Sequence, residues 1–381
     1  MAGGLPATFI VNHLINRIIQ PKTGIDPYIY RQKTFIKSPD LISKSLFMKT
    51  KILKFLIFFA LVCGSFSLAL AWGQWGHKHI SRAAVFALPA SMQKFYYNHI
   101  DFITEGAVVP DLRRGLLNDR NEPPRHYIDV EDFKIPLSSF PKTSREAFAK
   151  YDSSFLNKTG YLPWYIEDLT EKLTDAFIKR DKSAILFLSA ELSHYVADAH
   201  MPLHTSSNFN GQLSGQKGVH SLWESTLPDR FGASYYFKTP MAKYINNIAD
   251  ETFKMIEQSH SLVDTLLAKE KEVRSRFTEE NMYKRDRNGN VVKFYNSPVF
   301  SDEYAKQFND ALGGMVEHQL QLSIYDVASY WYTAWVNGGK PDLISLDDPH
   351  LTRQNRKNYK LELKAWNNGR LLNLSNFRRE E

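Results

Sequence analysis

His194-Tyr195-Val196-Ala197-Asp198, then His204, then His220-Ser221-Leu222-Trp223-Glu224, carry the strongest chemical signal in this chain. A histidine and a carboxylate four residues apart on a helix lie on one face, so both side chains can converge on a metal ion. The pattern occurs at His194/Asp198 and again at His220/Glu224, with His204 between them just beyond Pro202. A lone histidine in an apolar helix is ordinarily a hydrogen-bonded core residue. Two such pairs close together, with a third histidine between them, are not explained that way. Cys63 is the only cysteine, so a metal held here takes nitrogen and oxygen ligands, an inventory that suits zinc.

Two further elements add donors. Asp111, in Val109-Pro110-Asp111, and His126, in Pro124-Arg125-His126-Tyr127, supply another carboxylate and imidazole. Trp72-Gly73-Gln74-Trp75-Gly76-His77 follows a segment with the features of a secretory leader: basic Met48-Lys49-Thr50-Lys51 and Lys54, an uncharged apolar run from Phe55 to Cys63, and Ala69-Leu70-Ala71 as a small-x-small cleavage site. Cleavage there would free an α-amine at Trp72, with a pKa of roughly 7.7 to 8.0. That amine and the adjacent carbonyl can chelate a metal, with His77 completing the grip.

Taken together and in order, these motifs resemble one superfamily, the bacterial zinc-dependent phospholipases C and the single-strand-specific zinc nucleases of fungi and plants. The resemblance runs from Trp72 to Glu224. It implies a single multi-helix, all-α domain and three zinc ions. Asp111, His126, His194 and Asp198 would hold one; Trp72, His77 and Asp198 a second, with Asp198 as the bridge; His204, His220 and Glu224 a third, more exposed ion. It also implies a metal-activated water attacking phosphorus, and Asp111 is the candidate catalytic residue that orients the nucleophile or takes its proton. The spacing from Trp72 to His77 is similar to that of the nucleases. Glu224 in place of Asp, and the short interval from His204 to His220, are similar to the phospholipases. The reading adopted is a phospholipase-C-like phosphodiesterase, with a single-strand nuclease as the alternative; a non-catalytic zinc-binding secreted protein is a more distant one, since closed structural zinc sites use four protein ligands and typically include cysteine.

Charge narrows the partners. The chain carries a formal charge of +7, but residues 1–71 hold nine of the Lys and Arg against only Asp26 and Asp40, leaving 39 basic and 39 acidic residues beyond them. A groove that neutralises several nucleic-acid phosphates usually shows a basic excess. The expected partner is a phosphate-ester substrate, a phospholipid head group or single-stranded nucleic acid, acted on by a monomer. Arg113, Arg114 and Arg125 are near enough in sequence to the ligands to touch phosphate, and Tyr127, Phe209 and Trp223 could stack a base.

The organisation expected is a start-site extension over 1–47, a signal peptide over 48–71, a zinc phosphoesterase domain over 72–345, and a C-terminal tail or hairpin over 346–381, in a secreted or periplasmic protein. Helices are expected from 72 to 98 after the glycine-rich start, over 164–180 with Pro163 at the first turn, and over 184–200 with Asp181 or Ser183 as cap. That last segment is apolar nearly all round and belongs in a core. Prolines 110, 123 and 124 predict a loop-rich stretch over 106–142, and 205–219 reads as a loop. Helices resume over 220–227, 239–276 and 302–336. Small hairpins are expected near 284–297 and 360–374.

Overall fold

The helix carrying His194 and Asp198 is the hub around which the other elements are arranged. In the computed structural model, which describes residues 73–294, 297–346 and 353–371, the first half of the fold comprises α1 (Gly73–Ala87), α2 (Ala90–Asn98), α3 (Ile100–Gly106), α4 (Val109–Leu116), α5 (Ser144–Lys150), α6 (Ser153–Thr159), α7 (Leu162–Lys179) and α8 (Lys182–Ala199). Then come α9 (Val219–Ser221), α10 (Leu227–Phe231), α11 (Ile248–His260), α12 (Val263–Arg274), α13 (Glu279–Met282), α14 (Asp302–Ala311), α15 (Met315–Asn337) and α16 (Arg353–Asn367). The only sheet among the described residues is a two-stranded one, β1 (Lys293–Phe294) paired antiparallel with β2 (Ser297–Pro298). The fold is all-α. The expected extension over 1–47, the expected signal peptide over 48–71 and Trp72 lie outside the described residues. No described helix is long and apolar enough to cross a membrane.

α8 packs against α7, α15, α3 and α1, and the chain is buried without a break from Ser189 to Ser206. Its buried residues Ile185, Leu186, Ala190, Leu192, Tyr195 and Ala197 are spread over much of the helix circumference, which is why the sequence shows no clear polar stripe. Asp181 caps it by accepting from the Ala184 amide. Pro163 sits in the first turn of α7, where a missing N–H costs nothing. α15 packs along α1 and α7, closing the core with Tyr330 and Trp331 fully buried.

The stretch 106–142 is loop-rich as expected, with one short helix and three 3-10 turns, and Pro110 lies in the first turn of α4, where a proline has no bond to lose. Four expectations need correction. The helix expected over 72–98 is broken at Pro89 into α1 and α2. Residues 239–247 are not helical. They run extended along α15, with the Lys243 and Ile245 amides donating to the Ser329 and Thr333 hydroxyls, and Asn247 then caps α11. The helix expected over 302–336 is broken at Gly313 and Gly314, both at positive φ. The hairpin expected near 360–374 is instead a helix up to Asn367. Tyr359, Glu362, Leu363 and Trp366 turn one face inward at helical spacing, and Glu362 pairs with buried Arg82 at 2.6 Å. The hairpin near 284–297 is present: Arg285 bridges Val291 across the Asp286–Asn290 turn, and β1 and β2 extend it.

Candidate metal centre

His194 and Asp198 lie one turn apart near the end of α8, both fully buried. α3 approaches α8 so closely that a Cβ on Gly106 would come within 2.8 Å of the Ala190 methyl. That approach puts the Ala107 carbonyl 2.8 Å from His194 Nδ1, so Nδ1–H donates to it and Nε2 carries its lone pair inward, 3.4 Å from Asp198 Oδ2. His77, from α1, stacks on the His194 ring at 3.9 Å and places Nε2 3.4 Å from Asp198 Oδ1.

Pro202 ends α8, and the short 3-10 turn Pro202–Thr205 carries His204. His204 Nδ1 donates to the His126 carbonyl at 2.6 Å, and the Ile128 amide donates to the His204 carbonyl at 2.8 Å. The two histidine-bearing segments are thus tied to each other. The 124–129 segment is further pinned to 159–162, where Tyr161 donates to Pro124 O and Leu162 to Tyr127 O. Gly160 is required there: at φ +78° a Cβ would lie 2.1 Å from the Tyr127 carbonyl oxygen. His126 Nδ1 consequently sits 2.9 Å from Asp198 Oδ2, 3.0 Å from His194 Nε2 and 3.9 Å from Asp111 Oδ1. Asp111 itself is in the first turn of α4.

His220 and Glu224 are carried by α9 and a π-helical turn, Leu222–Thr226, a winding that recurs at functional sites. Glu224 is fully buried. Its Oε1 lies 3.0 Å from His220 Nε2 and its Oε2 3.5 Å from His204 Nε2. His220 Nδ1 donates to the Phe209 carbonyl at 2.9 Å. The structure therefore brings His77, Asp111, His126, His194, Asp198, His204, His220 and Glu224 together. Three sets of donors are close enough to share an ion: His77, His194 and Asp198; Asp111, His126 and His194; His204, His220 and Glu224. Asp198 connects the sets, since His204 Nδ1 is also only 3.7 Å from its Oδ2.

Other singled-out residues sort themselves. Arg114 Nη2 lies 3.1 Å from Asp111 Oδ1, at the site. Arg113 and Arg125 point elsewhere, onto Glu122 at 3.0 and 2.9 Å. Trp223 is fully buried, whereas Phe209 is exposed with its ring 6.1 Å from that of His220. His200 turns away to Asp326, 2.9 Å distant, and His79 stacks on Trp75. Glu122, which touches His126 Nε2 at 3.3 Å, is absent from the reading of the sequence. Glu122-x-x-x-His126 is the same four-residue spacing in reverse, concealed by the two prolines inside it; the 3-10 turn Pro123–Arg125 supplies the curvature a helix would have given.

The donor set fits a cation. Both ring nitrogens of His77 and Asp198 Oδ1 are buried without a hydrogen bond, a costly state unless something positive sits among them. Nδ1 of His126, Nε2 of His194 and Oδ2 of Asp198 all face one point, and acceptors that close need a proton or a metal between them. Burial, followed by the nearby charge of His77, holds His194 down at about 4, so it is a neutral lone-pair donor at pH 7. Burial works to raise the Asp198 carboxyl, but His194 and His204 hold it well below its ordinary value. Burial also opposes ionisation of Glu224, and His220 and His204 overcome it, leaving the carboxyl at about 2. The site sets two ionised carboxylates among imidazole nitrogens in a cysteine-free shell, which is zinc chemistry.

Comparison with known families agrees. A family model for zinc dependent phospholipase C matches residues 76–273, more than half the chain and inclusive of every donor from His77 to Glu224. The chain belongs to the zinc-dependent phospholipase C family. No individual curated protein matches it. Membership makes this a zinc-dependent hydrolase of the phospholipase C type, and each of the three donor sets could hold a metal ion.

Proposed function

We propose that this family member is an exported phosphodiesterase that uses three zinc ions to cleave phospholipid head-group esters. The observation that carries the proposal is the placement of Asp198 between donor sets, with separate oxygens toward His77 and His126. Asp111, His126, His194 and Asp198 would hold one ion; His77 and Asp198, with the Trp72 amine, a second; His204, His220 and Glu224 a third. Bound zinc supplies Lewis acidity, which activates water near neutral pH and neutralises charge on phosphate.

The chain's own residues do the rest. Asp111 takes the proton of the attacking water, buried and held by Arg114 beside the His126 ring. Arg114 is the cation placed to meet a phosphate oxygen, and it is partly exposed. His220 is the most exposed of the donors, so substrate enters from the His204/His220/Glu224 side. The second reading, a single-strand nuclease, is favoured by exposed Phe209 beside His220, a surface on which a base could stack. The test is a parallel assay of the purified mature protein on phosphatidylcholine, single-stranded DNA and RNA, with and without chelator. Turnover of phosphatidylcholine supports the first reading, turnover of nucleic acid alone the second, and chelator-resistant turnover neither.

A further inference from the structure

Glu122 is fully buried yet belongs to none of the three donor sets. An ionised carboxylate has about four acceptor sites, and three of those on Glu122 are taken. Oε2 accepts from Arg113 Nε at 3.0 Å and from Arg125 Nη1 at 2.9 Å, and Oε1 accepts from the Tyr195 hydroxyl. Arg113 is fixed in turn by a two-pronged pair with Glu191, at 2.8 and 2.6 Å, and donates to the Tyr195 oxygen at 3.2 Å. What remains of Oε1 faces His126 Nε2 at 3.3 Å, a longer contact than an ideal hydrogen bond.

This arrangement inverts His126 relative to its neighbours. His194, His204 and His220 each give Nδ1–H to a backbone carbonyl and present Nε2 to the centre. His126 does the reverse, with Nε2 toward Glu122 and Nδ1 toward Asp198 and His194. A charged carboxylate behind an imidazole also makes it a stronger donor than a neutral carbonyl does. We propose that Glu122, clamped by Arg113, Arg125 and Tyr195, is a positioning residue that fixes His126 as an Nδ1 ligand and tightens the zinc held by Asp111, His126, His194 and Asp198. The proposal rests on the three-zinc reading above. It also gives Arg113 and Arg125 a role behind the site rather than on phosphate.

The test is zinc binding, independent of turnover. The zinc-stripped protein is titrated against a chromophoric chelator, with His220→Ala used to identify the step that belongs to the His204/His220/Glu224 set. Glu122→Gln should weaken one other step about 10- to 100-fold and leave the His220-dependent step unchanged. Glu191→Gln, which loosens Arg113 without touching His126, is the control for a purely structural effect and should lower thermal stability more than zinc affinity. If Glu122→Gln fails to fold, Tyr195→Phe removes one anchor of the carboxylate and should weaken the same step a few-fold. Nitrogen-15 spectra of the zinc-bound protein should show His126 protonated at Nε2 and His194 at Nδ1. Wild-type affinity at every step in Glu122→Gln, or His126 protonated at Nδ1, overturns the proposal. A wild-type protein with no tight zinc outside the His220-dependent step overturns the three-zinc reading instead.

Discussion

Asp198 Oδ1 lies 3.4 Å from His77 Nε2, while its Oδ2 lies 2.9 Å from His126 Nδ1. A single buried carboxylate thus serves donors that arrive from α1 and from the 124–129 segment, elements far apart in sequence. In a metal-loaded protein such a carboxylate screens two cations from each other. Its charge then matters more than that of any carboxylate serving one ion.

Asp198→Asn should therefore lose about two zinc equivalents, whereas Glu224→Gln should lose about one, at the exposed set. Atomic emission on the dialysed proteins counts them. Equal loss from both variants would contradict the bridging role.

Much of this centre is legible in the sequence because its key pairs are local. His194/Asp198 and His220/Glu224 each need only helical winding to converge, and the donors in loops, His126 and His204, are flagged by adjacent prolines. The parts that escaped depend on packing. Glu122 acquires its meaning from Arg113, Tyr195 and Glu191, and the last two lie on α8, some seventy residues away in the chain. The extended strap at 239–247 owes its conformation to hydroxyls on α15, and no period in its own sequence announces them. The C-terminal segment misled for another reason: the leucine-flanked Asn367-Asn368-Gly369 turn is equally good at ending a helix, and only the buried Arg82–Glu362 pair shows which it does.

Arg114 and Arg113 should separate cleanly. Arg114→Ala removes the cation paired with Asp111 but leaves every donor in place, so zinc content should hold while kcat/KM falls about 10- to 100-fold, the worth of a charged hydrogen bond at ~1.5–3 kcal/mol. Arg113→Ala leaves Glu122 and Glu191 buried without their shared cation, and should lower the melting temperature and the zinc affinity together. A kcat/KM for Arg114→Ala equal to wild type would remove that residue from the substrate contacts.

Zinc uptake should release protons. Burial works to lower His126 and His204, but Asp198 and the carboxylates of Glu122 and Glu224 raise both above the ordinary histidine value. His194 is held at about 4. The zinc-free centre thus holds a proton more firmly on His126 and His204 than on His194, and filling it must expel whatever protons they carry. Affinity rises with pH while they titrate, then levels off above their pKa values. The same sign holds for folding: a raised histidine stabilises the zinc-free protein below its unfolded pKa, and that contribution is lost as pH rises through the folded value. Calorimetry in buffers of different ionisation enthalpy should find protons released on zinc binding, and fewer of them as pH rises; none at any pH would mean the imidazoles are already bare.

The last expectation concerns Trp72, which lies outside the described residues but adjoins α1. His77 reaches the centre with neither ring nitrogen hydrogen-bonded, and Asp198 Oδ1 beside it is likewise unsatisfied; with His194 assigned to the neighbouring ion, His77 and Asp198 alone are fewer donors than either other ion would have. A free amine at Trp72 would complete the set. In a peptide bond the nitrogen lone pair is delocalised and makes a poor ligand, whereas an α-amine with a pKa of roughly 7.7 to 8.0 gives up its proton readily to a metal. Maturation and metal loading would then be one chemical event. A protein beginning at Trp72 should bind three zincs, and one retaining a single extra alanine should bind two and turn over slowly. Both are to be compared by metal counting at matched zinc activity. Three zincs and full turnover in the alanine-extended protein would show that the amine is not a ligand, and that Trp72 serves only to pack.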